Sequence, residues 1–156
     1  MDFLGFLQAI GAATRLDISA AVQDGGCSIV FSDSLEVTFE HDEQNQKVVL
    51  FAPVMSIGEW PAESREHMLS RVLEVHLFGM ATDGNYFGFD PLLDRIIFFR
   101  SMALPQLEAA PAIQAVESFV DQLEHWQGQL LQSSLHADAA AQAPAPHASG
   151  LPIQPV

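Results

Sequence analysis

Six histidines, at positions 41, 67, 76, 125, 136 and 147, and one cysteine, Cys27, are the side chains best suited to metal binding or nucleophilic chemistry. None of the histidines forms an HExxH pair or a Cys/His cluster with the spacing that zinc requires. Glu63, Glu66 and His67 lie within one helical turn and could approach a cation, but a solvated first turn of a helix accounts for all three. Cys27 follows Gly25–Gly26, where a turn is expected. A nucleophilic thiol needs a base and an orienting group, and no histidine is marked as either. Glycines 79, 84 and 88 have the wrong spacing for a phosphate loop, and no Lys–Ser/Thr pair follows them. Asp90 and Asp94 flank a turn, where Asp is favoured without any chemistry. The sequence predicts no enzyme, no cofactor and no metal.

Composition points instead to binding. The chain has 156 residues, the size of one domain, and 49% of them are hydrophobic, which is enough to close a core. Twenty acidic residues against six basic ones give a formal net charge of −14. Such a surface repels phosphate backbones and anionic lipid heads, so nucleic acid and membrane surfaces are poor partners for it. A single cysteine suits a reducing compartment. MDFLGF carries Asp2 where a signal peptide would carry a positive charge. The longest apolar stretch, Val48 to Met55, is broken by Pro53 and falls far short of the ~20 residues a spanning helix needs. These features predict a cytoplasmic protein.

The elements that would carry any binding surface follow from periodicity. Asp2 can cap a first helix with Phe3, Phe6, Leu7 and Ile10 at helical spacing. Adding Leu4 widens its apolar arc to roughly 160°, against the ~100° of an ordinary surface helix. Strands are predicted at Ile29–Phe31, at Leu35–Glu40 by strict alternation, and at Lys47–Val54 after a polar hairpin loop. A second helix starts at Pro61 and closes near Gly79. Met68, Leu69, Val72, Leu73, Val75, Leu77 and Phe78 leave little of its later half polar, so it requires cover on both sides. In a chain this small, the second cover is expected to be another subunit.

Tyr86–Asp90 and Arg95–Met102 read as two strands around a turn, and the run IIFF has the look of a central strand covered on both faces. A last helix runs from about Pro111 to Gln132, with Ile113, Val116, Val120, Leu123, Trp126 and Leu130 on one stripe. Residues 133–156, rich in Ala and Pro, are expected to be a disordered tail on a domain spanning 1–132. The class is α+β: about five strands in one twisted antiparallel sheet with three helices, in the order α-β-β-(β)-α-β-β-α, and homodimeric.

FLGFLQAIG, LEVTFEHDEQNQKVVLFAPV, MLSRVLEVHLFG, YFGFDPLLDRIIFFRSM and a closing helix containing Trp126 follow one another in this chain. In order and spacing they resemble the Tir chaperone (CesT) family, the class I chaperones of bacterial type III secretion, over residues 2–132. The resemblance implies a homodimer built through the second helix and the neighbouring strand. By position, that places Leu69, Val72, Leu73, Leu77, Phe78, Tyr86 and Phe87 at the interface. It also implies that the unfolded N-terminal segment of a secreted effector wraps the subunit, with contacts at Leu4, Phe6, Leu7, Phe31, Leu35 and Val37 and no nucleotide. The competing expectation, from charge alone, is an acidic regulator that occupies a basic partner protein and is released by salt.

Overall fold

The computed structural model describes residues 1–16, 18, 25–32 and 34–141, with side chains as far as 134. Helix α1 covers Phe3–Thr14. The Asp2 carboxylate accepts the Gly5 N–H at 2.8 Å and so satisfies one of the free donors of the first turn. Arg15 ends the helix in the left-handed conformation, with Leu16 N–H bonded to Gly11 O at 3.0 Å. A side-chain carbon at Gly11 would sit 2.9 Å from Leu16 O, so only glycine permits this return of the chain.

Strands β1 (Gly26–Phe31), β2 (Leu35–Asp42), β3 (Lys47–Ser56), β4 (Tyr86–Asp90) and β5 (Arg95–Ala103) form one antiparallel sheet in the order β1-β2-β3-β5-β4. Between β3 and β4 lie helix α2 (Ala62–His76) and a 3-10 turn, Leu77–Gly79. Helix α3 (Ala109–Ala141) is the last element among the described residues. The expected α+β order is therefore present, with three strands before α2.

Pro53 sits inside β3 without breaking the sheet. The β2–β3 ladder ends at Thr38 opposite Phe51, so the N–H that proline lacks falls beyond the β2 partner. The register with β5 shifts between Pro53 and Met55, a local bulge.

One face of the sheet carries the core. Leu35, Val37 and Phe39 of β2, Val48, Leu50 and Ala52 of β3, Ile96 and Phe98 of β5 and Phe87 of β4 are buried. Phe3, Phe6, Leu7 and Ile10 of α1 and Ala112, Val116, Phe119 and Leu123 of α3 are buried with them. The Phe98 ring stacks on Phe119 at 5.3 Å and meets Phe87 at 4.9 Å, which ties α3 to the β5–β4 end of the sheet. The opposite face is half-exposed along Val49, Phe51, Ile97 and Phe99. The IIFF run is thus fully covered on one side only.

Two sequence expectations shift. Helix α3 begins two residues before Pro111, which is tolerated in a first turn, and continues nine residues past Gln132. That extension, SSLHADAAA, is rich in the best helix former and contains no proline, so part of the expected tail is helix; residues 142–156 lie outside the described residues. Cys27 follows the turn at Gly25 and lies in β1, facing the core, where burial raises its thiol pKa. An alkylating reagent at neutral pH should leave Cys27 unmodified in the native protein and label it fully in denaturant. Rapid labelling of the folded chain would contradict this placement of β1.

Candidate functional site: two apolar faces

The acids and histidines that invite a chemical reading have structural work. Asp90 Oδ1 accepts the N–H groups of Leu92 (3.0 Å) and Leu93 (3.3 Å), and Arg95 Nε donates to its Oδ2 at 3.0 Å. Desolvation pulls the Asp90 pKa upward, but these donors together outweigh it and hold the carboxyl below its usual range. Asp94 Oδ1 accepts from Arg65 Nη2 at 2.7 Å, which fastens the β4–β5 turn to α2. His41 stacks flat on Phe3 at 5.0 Å, and His76 packs against Tyr86 at 5.3 Å. Among the described residues, no three His, Cys, Asp or Glu side chains converge on a position that could hold a metal ion.

What the chain does present is unburied apolar surface, and two of its faces form grooves. The first is built by α2, the 3-10 turn and β4. Met68 and Val72, four residues apart, point inward, and Val72 is 5% exposed. Their neighbours Leu69 and Leu73 are rotated by one residue; Leu69 is half-buried and Leu73 is 69% exposed. With His76, Phe87, Phe89 and Ile96 they line a groove of about 200 Å³ with almost no polar lining. Beyond it the chain turns at Phe78, whose φ of 59° is left-handed, a conformation costly for a bulky side chain. That backbone holds the Phe78 ring 86% exposed, beside exposed Leu77 and Met80. Of the residues assigned to the interface by resemblance, Leu73, Leu77, Phe78 and Tyr86 are exposed and Leu69 partly so. Val72 and Phe87 instead form the floor beneath them.

The second face lies where α1 meets α3 beside the β1 edge. Ile10, Ala13 and Thr14 form one wall of a groove of about 180 Å³, and Ile113, Val116 and Val120 form the other. Phe31 closes one end, and Glu117 and Asp121 stand on its rim. Of the residues assigned to the client by resemblance, Leu4 is 55% exposed on α1 and Phe31 is partly exposed. Phe6, Leu7, Leu35 and Val37 lie in the core and offer no surface in this conformation. The α3 wall carries no sequence signal of its own, because Ile113, Val116 and Val120 read as one apolar stripe with Leu123, Trp126 and Leu130. In the first half of α3 the buried positions are 112, 116, 119 and 123, which leaves Ile113 and Val120 to one side, half-exposed.

A third patch occupies the β4–β5 turn. Leu92 and Leu93 are exposed there, next to half-buried Trp60.

The profile of the Tir chaperone protein (CesT) family matches residues 6–127. Among curated proteins, none matches this sequence. The fold is shared with chains of several solved complexes at low identity. A chain of the ExsC–ExsE complex is 20% identical, with 83% of this chain and 97% of that chain covered at a TM-score of 0.62. A chain of the heterodimeric ExoU–SpcU complex from the type III secretion system of Pseudomonas aeruginosa is 11% identical, covering 80% and 93% at 0.58. A chain of the structure of the Yersinia pestis type III secretion chaperone SycH, in complex with a fragment of YscM2, is 13% identical, covering 78% and 97% at 0.57.

Proposed function

The chain belongs to the Tir chaperone protein (CesT) family, and from that premise we propose that it is a cytoplasmic, non-enzymatic homodimer that holds the N-terminal segment of a secreted effector extended and soluble for export. The observation that carries this reading is the leftover apolar surface on two separate faces. Leu73, Leu77 and Phe78 crown one, and Phe31 with the α1–α3 groove makes the other, while Leu4 adds an exposed apolar side chain near the start of α1. A monomer that functions alone has no use for so many exposed large apolar side chains. On this reading the α2 face meets its counterpart on a twin copy, and the α1 face receives the client.

No nucleotide is needed. Ordering a client residue costs about 1–2 kcal/mol of backbone entropy, and apolar burial returns ~25 cal/mol per Å². Each ordered residue must therefore bury roughly 40–80 Å² of apolar area, which a wrapped, extended segment with regular apolar anchors can do. Support also comes from the fold, which is shared with a chain of the HopA1–SchA complex, described as chaperone and effector, and with a chain of the complex of the type III secretion chaperone SycH with a fragment of YscM2.

The test is purification of the tagged protein from its native cells, with identification of what accompanies it, at low salt and at about 1 M salt, where charges are screened within ~3 Å. A secreted protein bound through its N-terminal segment and retained at high salt is the expected result. Leu4→Asp should weaken that capture while the melting midpoint stays within a degree or so, because the side chain is largely in solvent. A basic partner released by salt would instead favour the acidic-regulator reading.

A further inference from the structure

The α1–α3 groove has an asymmetry that apolar capture alone does not explain. Its floor and walls are apolar, with Ile10 and Val116 buried and Phe31, Ile113 and Val120 half-exposed. Its charged lining is of one sign. Glu117 and Asp121, one turn apart on α3, are both exposed, and among the described residues no Lys, Arg or His lines the groove with them. Neither carboxylate is in an ion pair among the described residues. The remaining polar side chain, Thr14, is committed, since its hydroxyl donates to Ile10 O at 2.8 Å.

We propose that this groove selects a client segment in which an apolar anchor is flanked by Lys or Arg, the anchor seating between Ile10, Phe31, Ile113 and Val120 and the cation meeting Glu117 and Asp121. The proposal rests on the chaperone reading and adds to it the chemistry of the segment captured. Charge complementarity supports a basic segment over the chain's own residues 142–156, which contain no Lys or Arg. Two carboxylates on one apolar rim also exclude acidic segments, so the same pair serves rejection as well as attraction.

The experiment is selection from a displayed library of random peptides on the full-length protein, followed by affinities of the selected peptides for the wild type and for a Glu117→Gln, Asp121→Asn double variant. These changes keep the shape of exposed side chains, and an unchanged melting curve verifies the fold. Peptides with Lys or Arg beside large apolar residues should be enriched on the wild type and bind the double variant about tenfold more weakly, as two rim pairs of up to ~1 kcal/mol each allow. The difference should shrink with added salt. Enrichment of apolar residues without Lys or Arg, or equal affinity for both proteins, overturns the proposed selectivity and leaves the chaperone reading intact. Peptides still bound after Ile113→Asp would place capture elsewhere and overturn the assignment of the groove itself. Tighter binding after removal of residues 142–156 would identify the chain's own end as the occupant and likewise overturn it.

Discussion

Replacing Phe6 by Ala is expected to destabilise the protein by about 3–5 kcal/mol, the usual cost of emptying a large aromatic site in a core. Phe6 is 0% exposed, lies at the end of the first turn of α1 and meets the Phe39 ring at 5.9 Å, so it joins the helix to the centre of β2. Against a typical domain stability of ~5–15 kcal/mol, that loss lowers the melting midpoint on the order of 10 °C at fixed protein concentration. Thermal denaturation of the two proteins side by side decides it. A Phe6→Ala protein as stable as wild type but unable to hold a client would show that Phe6 faces outward in solution, against the placement described here.

Phe6 also shows what sequence alone could and could not specify. The spacing of Phe3, Phe6, Leu7 and Ile10 reads as one helical stripe, and all four are core. Leu4 is the member of that arc left outside, because a helix packed on a sheet can bury only part of a wide apolar surface. The alternation Leu35, Val37, Phe39 already implied a shared buried face, and assigning Leu35 and Val37 to a client set the resemblance above that pattern. Other features had no local signal. The α1–α3 groove joins residues about a hundred positions apart, and only the packing of α3 over α1 brings Ile113 to Thr14. Nothing in the order Met68-Leu69 or Val72-Leu73 says which of each pair turns inward, since both are large and apolar. The exposure of Phe78 depends on a left-handed backbone that sequence would assign to the adjacent Gly79.

Leu73→Asp should convert the proposed dimer to a folded monomer, whereas Val72→Asp should unfold the chain. The two residues are adjacent, but one is 69% exposed and the other 5%. In a two-fold interface every substitution occurs twice. A central contact is worth about 2 kcal/mol or more, so the pair of changes should weaken association by roughly a thousandfold. Circular dichroism should show a native Leu73→Asp spectrum with a monomer mass, and an unfolded spectrum for Val72→Asp. If Leu73→Asp remains a dimer, the twin copy does not sit on α2.

In the proposed dimer the like charge of two copies would oppose their association, and the α2 face would limit that repulsion locally. Arg71 and Glu74 pair with each other at 3.2 Å on the helix surface, and the groove beside them is lined almost entirely by carbon. Apolar burial can then outweigh the long-range term, which salt screens over ~8 Å at physiological strength. Higher salt should accordingly strengthen the dimer, opposite to its effect on a partner held by charge.

The most direct measurement is the mass of the unaltered protein in solution, by light scattering at micromolar concentration and moderate salt. Two chains of 17.0 kDa each are the expected particle. A particle of 17.0 kDa, with Leu73, Leu77 and Phe78 still open to solvent, would contradict the view that these side chains are reserved for a second copy.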